Sequence, residues 1–208
     1  MIAKINRATF IQSAQSISDS PPPIMSEAVF LGRSNVGKSS IINTLTNSKS
    51  LAKSSKTPGK TRLLNFFEIE GVYKEEKVKF IFVDLPGFGY AKVSKSLQEE
   101  WGKNLLNFLQ KRDSIKLFVH LVDSRHPGLK NDVEAEKLAK ELAEIRGDRT
   151  YLKVFTKGDK LSKSELTKLK RAYPNSIVVS SLNKDNIDTL RTKIFETVFE
   201  GRDIDRDN

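Results

Sequence analysis

The sequence predicts an α/β fold of three layers, a six-stranded and mostly parallel sheet with one antiparallel strand at its edge and about five helices over its two faces. Three observations predict it. From Ala28 onward, short β-branched or aromatic runs alternate with amphipathic stretches of helical period, the order that parallel strands joined by crossover helices require. The chain has 208 residues, which suits one hydrophobic core of ordinary size. Its longest apolar runs, Phe80–Val83 and Leu117–Val122, have strand length and fall far short of the roughly 20 residues that cross a bilayer.

In chain order the strands are expected at Ala28–Gly32, Leu64–Glu70, Lys77–Asp84, Lys116–Asp123, Leu152–Thr156 and Ile177–Ser180. The helices are expected at Lys38–Thr46, Leu97–Lys111, Asn131–Ile145, Lys163–Ala172 and Ile187–Glu200. Gly71 marks a turn between the second and third strands, a connection too short for a crossover helix, so the second strand should run antiparallel at a sheet edge. Residues 1–25, which include the stiff Pro21-Pro22-Pro23 run, read as a segment appended to a domain spanning 26–200, and 201–208 as a polar tail. Trp101, Leu105 and Leu109 share one helix face at i, i+4 and i+8, which is core spacing.

Composition narrows the classes of function. Cysteine is absent, which removes disulfides, thiolate nucleophiles and zinc sites built on sulfur, and makes the cytoplasm the default compartment. The net charge of +10 favours a polyanionic partner. The N-terminus shows no continuous apolar segment of the signal-peptide kind, and neither a lipid anchor nor a membrane partner is expected.

The strongest motif is Gly32-Arg33-Ser34-Asn35-Val36-Gly37-Lys38-Ser39, a G-x-x-x-x-G-K-S string set between an apolar run and a helical run. Glycines let the backbone wrap phosphates, while amides and the helix N-terminus supply positive potential. Lys38 can reach the outer phosphates, and the Ser39 hydroxyl can ligate Mg²⁺. Asp84-Leu85-Pro86-Gly87 ends the third expected strand, where Asp84 can hold the same metal and the Gly87 amide can face a γ-phosphate. Alone, that tetrapeptide would pass for a β-turn.

Thr156-Lys157-Gly158-Asp159 follows the fifth expected strand, where a carboxylate can accept both N–H donors of a guanine edge while the Lys157 stem packs over the ring. It is similar to the N-K-x-D guanine motif with Thr156 in place of Asn, which leaves open what performs the loop-bracing work of that Asn. Ser180 and Ser181, after Val179, resemble the S-A-x loop that contacts guanine by its backbone, the second Ser standing for Ala. From Arg33 to Leu63 there are seven Lys or Arg and no acidic residue, which concentrates positive potential near the phosphate loop. Within that stretch Thr57-Pro58-Gly59-Lys60-Thr61 reads as a switch loop, its Thr61 able to add a second hydroxyl to the metal when a γ-phosphate draws it in.

Taken in order, GRSNVGKS, TPGKT, DLPG and TKGD resemble a translation-factor-class GTPase with a Ras-like fold. The longer strings Glu27–Ser40, Asp84–Val93 and Asp123-Ser124-Arg125-His126-Pro127 resemble the EngB family, also called YihA or YsxC, within the TrmE-Era-EngA-EngB-septin-like class; the likeness covers about residues 6–200. These are bacterial ribosome-biogenesis GTPases. The resemblance implies GTP/GDP and Mg²⁺ as cofactors, slow hydrolysis, and association with the large ribosomal subunit during its assembly. It also implies a requirement for normal cell division and septation. DNA is not expected as a partner, and a monomer is.

The nucleotide site so implied comprises Gly32, Arg33, Ser34, Asn35, Val36, Gly37, Lys38 and Ser39, then Gly59, Lys60, Thr61, Arg62 and Leu63. Asp84, Leu85, Pro86 and Gly87 follow, then Thr156, Lys157, Gly158 and Asp159, and last Val179, Ser180 and Ser181. Ser39, Thr61 and Asp84 are the expected metal ligands, and Lys38 and Asn35 the expected catalytic residues. Phe88 stands where Ras-type enzymes carry a water-orienting glutamine and cannot polarise a water. Related GTPases with a hydrophobic residue there can use K⁺ as a charge-stabilising ion, which by resemblance makes Asn35 a K⁺ ligand. His120 reads as a core residue and His126 as a loop residue, neither of them catalytic.

Overall fold

The computed structural model describes residues 3–53, 63–88 and 95–200, with the side chains of 95–101 outside the description. In chain order the strands are β1 (Lys4–Ala14), β2 (Glu27–Gly32), β3 (Leu64–Tyr73), β4 (Glu76–Asp84), β5 (Ile115–Asp123), β6 (Thr150–Thr156) and β7 (Ile177–Val178). The helices are α1 (Lys38–Leu45), α2 (Lys95–Lys111), α3 (Lys130–Arg146), α4 (Lys163–Ala172) and α5 (Ile187–Glu200), with a 3₁₀ turn at Gly158–Lys160. They build one sheet of order β1-β3-β4-β2-β5-β6-β7.

β2 is buried along its whole length because it is central and covered on both faces. Its side chains alternate between two cores. Ala28 and Phe30 meet Ile41 and Ile42 of α1 and Leu190, Ile194 and Phe195 of α5, whereas Val29 and Leu31 meet Phe108 of α2 and Leu142 of α3. A smaller cluster, Val122, Phe155 and Val178, is closed by Leu169 of α4. These opposed layers fix the register of β2, since a slip of one residue would exchange its two faces.

The sheet has seven strands against the six expected, and the extra one comes from residues 1–25. β1 pairs antiparallel with β3 through a register interrupted by two irregularities, and Phe10 packs edge-on against Phe67 at 5.8 Å between ring centres. β3 is antiparallel to β4 as expected but is not the edge, because β1 lies outside it. The sparse apolar pattern of β1, mostly exposed, hid it as a strand. Gly71 is not the turn. It lies inside β3, where a Cβ would stand 2.4 Å from the Lys4 carbonyl and 2.9 Å from the Phe195 ring, so glycine admits β1 on one side and α5 on the other. The turn falls at Lys74 and Glu75, both with positive φ. The last strand is shorter than expected, ending at Val178. The side chain of Trp101 and the tail 201–208 lie outside the described residues.

At the amino ends of the parallel strands, Arg112 grips the Glu27 carboxylate through two nitrogens, the shortest contact being 2.6 Å, with both side chains almost wholly buried. Arg149 donates to the carbonyls of Leu109 and Arg112 and so closes the C-terminal end of α2. The opposite, carboxyl ends of β2, β4, β5 and β6 are thereby left to carry the loops rich in Gly, Lys and Asp. Strand order reverses at β2, whose neighbours β4 and β5 connect in opposite directions, and a crevice at such a point is where open α/β sheets bind ligands.

Candidate functional site

The phosphate loop leaves the sheet at Gly32, where a Cβ would lie 2.7 Å from the Leu121 carbonyl, so only glycine lets β2 turn beside β5. Asn35 (φ 64°) and Gly37 (φ 99°) adopt the left-handed region and curl the loop back to the start of α1. No side chain caps α1, and its first turn holds no acidic residue, so an anion would meet uncapped amides and the positive end of the helix. Val36 is buried beneath the loop, while Ser34 and Ser39 are half-buried and Asn35 is exposed at its rim.

β4 delivers the second group of residues. Leu85 N–H donates to the Phe30 carbonyl, and the chain then runs along the phosphate loop. Ser34 N–H donates to Phe88 O at 3.1 Å and Phe88 N–H to Gly32 O at 3.3 Å, making a parallel bridge between Arg33 and Phe88. Gly87 needs to be glycine here, since a Cβ would stand 2.9 Å from the Ser34 backbone. Pro86 is half-buried beside it. The Lys38 ammonium rests on the Asp84 carboxylate, both side chains nine-tenths or more buried.

The donor set of Asp84 and Ser39 consists of hard oxygens, which fits Mg²⁺. No group of three or more His, Cys, Asp or Glu among the described residues could hold a metal. Such a site is completed by phosphate oxygens and water, the usual manner of Mg²⁺ in phosphate chemistry. Gly59, Lys60, Thr61 and Arg62, and with them the expected third ligand, lie outside the described residues, whereas Leu63 is half-buried just before β3.

The third group sits at the ends of β5, β6 and β7. Thr156 is buried, and its hydroxyl donates to the Val36 carbonyl at 2.7 Å, so the brace expected of an Asn in N-K-x-D is supplied by the threonine. Lys157 (φ 58°) reaches back across the loop. Its Nζ donates to the Asn35 carbonyl and to Asp123 Oδ2, each at 2.8 Å, while its stem passes alongside Gly37. Gly158 N–H donates to the Val179 carbonyl at 3.0 Å, and a Cβ at Gly158 would lie 2.9 Å from Val178. The Ser180 hydroxyl, fully buried, donates to Asp159 Oδ1 at 2.7 Å and accepts from Asn183 N–H at 3.1 Å. That bond holds the Asp159 carboxyl below the usual carboxylate range, keeping it an acceptor for N–H donors. Ser181 follows, half-buried.

Two residues at this end were not read as part of the site. Asp123, the last residue of β5, joins Lys157 to Arg125, and Ser124 Oγ donates to the Lys157 carbonyl at 3.1 Å. A carboxylate at the carboxyl end of the strand next to the TKGD strand was the available signal. His120 is wholly buried as expected, its Nδ1 2.8 Å from the Tyr151 hydroxyl, and its ring lies 6.3 Å from that of Phe88.

A strand-to-helix phosphate loop, a lysine and an aspartate converging on it, and an aspartate-bearing loop braced against it together define a P-loop GTPase. A family model described as "50S ribosome-binding GTPase" matches residues 27–157. A probable GTP-binding protein EngB of Aliarcobacter butzleri is 55% identical over 195 residues, covering 92% of this chain and 96% of that protein. Probable EngB proteins of Campylobacter lari and Wolinella succinogenes are 54% and 49% identical over 91% and 92% of the chain and 94% of each relative. The crystal structure of a probable GTP-binding protein engB superposes with a TM-score of 0.59 at 28% identity, over 84% of this chain and all of that one. The chain belongs to the EngB family of GTP-binding proteins.

Thr156→Val keeps the shape of the side chain but leaves the Val36 carbonyl unpaired. GDP and GTP affinity should both fall about tenfold, as expected for a lost buried hydrogen bond of about 1–3 kcal/mol, measured by isothermal titration calorimetry. Unchanged affinity would show that the phosphate loop does not need this brace.

Proposed function

We propose that this GTPase is a nucleotide-dependent switch in assembly of the large ribosomal subunit, with slow intrinsic hydrolysis and a contribution to cell division and septation. The observation that carries the switch reading is the backbone bridge between the phosphate loop and the segment Gly87-Phe88, because any group seated in the loop acts directly on that segment. The family description and the +10 charge support an RNA-rich partner. Neither DNA nor a membrane is a proposed partner, and the proposed setting is a monomer in the cytoplasm. Among the described residues no helix is long and apolar enough to cross a membrane.

In this reading Lys38 turns from Asp84 to the β and γ oxygens and stabilises the charge that develops there. Ser39, Asp84 and Thr61 hold Mg²⁺, which when bound supplies further charge neutralisation at the same oxygens. Backbone amides of residues 33–39 cradle the phosphates, and the Gly87 amide faces the γ-phosphate. Asp159 accepts from the guanine edge, Lys157 covers the ring, and Ser180 keeps Asp159 aimed. Hydrolysis is slow because the side chain that follows D-x-x-G is a phenylalanine set near His120 and offers no hydrogen bond to an attacking water. Asn35, exposed at the loop rim, is the proposed ligand of a K⁺ ion that would restore part of the missing charge stabilisation.

Phe88 also favours a second reading, a nucleotide-sensing module on the ribosome in which hydrolysis is incidental. Turnover stimulated by large subunits supports the switch, and turnover indifferent to them supports the sensor.

The proposal is tested by co-sedimentation with isolated large and small ribosomal subunits, in GDP and in a non-hydrolysable GTP analogue, across a salt series. Pelleting with the large subunit that needs the analogue and survives moderate salt is expected. Pelleting with either subunit that ignores nucleotide and vanishes with salt would reduce the ribosome signal to net charge. Turnover in KCl should exceed turnover in NaCl at matched ionic strength, and equal rates would remove K⁺ from the mechanism.

A further inference from the structure

The string Asp123-Ser124-Arg125 stands outside the phosphate loop and outside TKGD, yet its carboxylate is the most heavily engaged in the described site. Asp123 receives Arg125 through Nε at 2.9 Å, a terminal guanidinium nitrogen at 2.7 Å and the Arg125 amide at 3.1 Å. Its Oδ2 also receives Lys157 Nζ at 2.8 Å. The Asp123 side chain is only 12% exposed, whereas that of Arg125 is 44% exposed. One partly buried carboxylate therefore serves two cations, and Arg125 fixes its plane from the outside.

Lys157 bridges the two halves of the nucleotide site. Its backbone belongs to the guanine loop, its stem runs beside Gly37, and its ammonium ends on Asn35 O and Asp123. The Asn35 carbonyl is a neutral acceptor, so of these two contacts only that with Asp123 is an ion pair. Without it, a long and flexible side chain would have to be ordered at each binding event, a cost in rotamer entropy that the ion pair removes beforehand.

We propose that Asp123, held in plane by Arg125, is the positioning residue that fixes Lys157 across the guanine pocket and so sets how tightly nucleotide is retained. The inference rests on the placement of guanine beneath Lys157 given above. Because the base is common to both nucleotides, the effect falls equally on GDP and GTP. It also links an exposed guanidinium to the base pocket through a single carboxylate.

The test is a double-variant cycle read by calorimetry with GDP and with a non-hydrolysable GTP analogue. Asp123→Asn keeps the side-chain volume but offers Lys157 no charge, and should weaken both nucleotides about tenfold, the usual scale for one charge-assisted bond. Asp123→Glu, which restores the charge on a longer arm, should bind within about threefold of the parent. Lys157→Met should show its own loss, and adding Asp123→Asn to it should cost nothing more, since Asp123 acts through Lys157. Parent-like affinity in Asp123→Asn, or losses that multiply in the double variant, would overturn the inference. Should Asp123→Asn fail to fold, the same cycle with the exposed Arg125→Ala decides it: a loss of about threefold that disappears in the Lys157→Met background is expected, and an additive one contradicts. A Lys157→Met protein that binds like the parent would instead overturn the placement of the base, which distinguishes the two failures.

Discussion

A lysine ammonium and an aspartate carboxylate meet at the carboxyl edge of the sheet, and much of the architecture exists to bring them there. Lys38 opens a helix and Asp84 ends a strand, 46 residues apart in sequence, yet the two side chains form an ion pair that is almost wholly buried. Buried charges are costly unless paired. The pair thus holds both groups out of water, each against its partner, at the place where a polyphosphate and a hard cation would each take one of them. Replacing one partner by a phosphate and the other by a metal exchanges one set of charge pairings for another, so a site held ready in this way needs little reorganisation.

Hydrogen bonds on either side of that pair make the phosphate loop a shared wall. On one side Gly87-Phe88 hydrogen-bonds to Gly32 and Ser34, and on the other Thr156 holds Val36. The loop therefore connects the segment that would sense a γ-phosphate to the segment that would hold the base. Along this wall glycine is imposed twice by close approach, at Gly32 against Leu121 and at Gly87 against Ser34. The motif residues that look permissive in sequence are dictated by contacts with residues far away in the chain.

The central strands and the phosphate loop were legible in the sequence because their signals are local. Continuous apolar runs mark buried parallel strands, and G-x-x-x-x-G-K-S carries its own mechanical reasons. What was hidden depends on tertiary partners. β1 has few buried side chains, being an edge strand, so no alternation marks it, and Gly71 looked like a turn because its real role, the crossing of β1 and α5, is non-local. Thr156 as the brace and Ser180 as the partner of Asp159 had the right residue types, but only the fold shows which acceptor each hydroxyl meets. Asp123 was visible as a strand-end carboxylate without any sequence mark of the lysine it holds.

Nucleotide binding at this edge of the sheet requires that phosphate be held at the Lys38 and Asp84 site. The most direct measurement is titration of Lys38→Ala with GTP and GDP by calorimetry, with circular dichroism to confirm that the sheet is intact. Tight binding of both nucleotides should be lost in a folded protein, since Lys38 is placed to bring a full positive charge to the outer phosphates from within the loop. A folded Lys38→Ala protein that still bound GTP with micromolar affinity would contradict the assignment of the site itself.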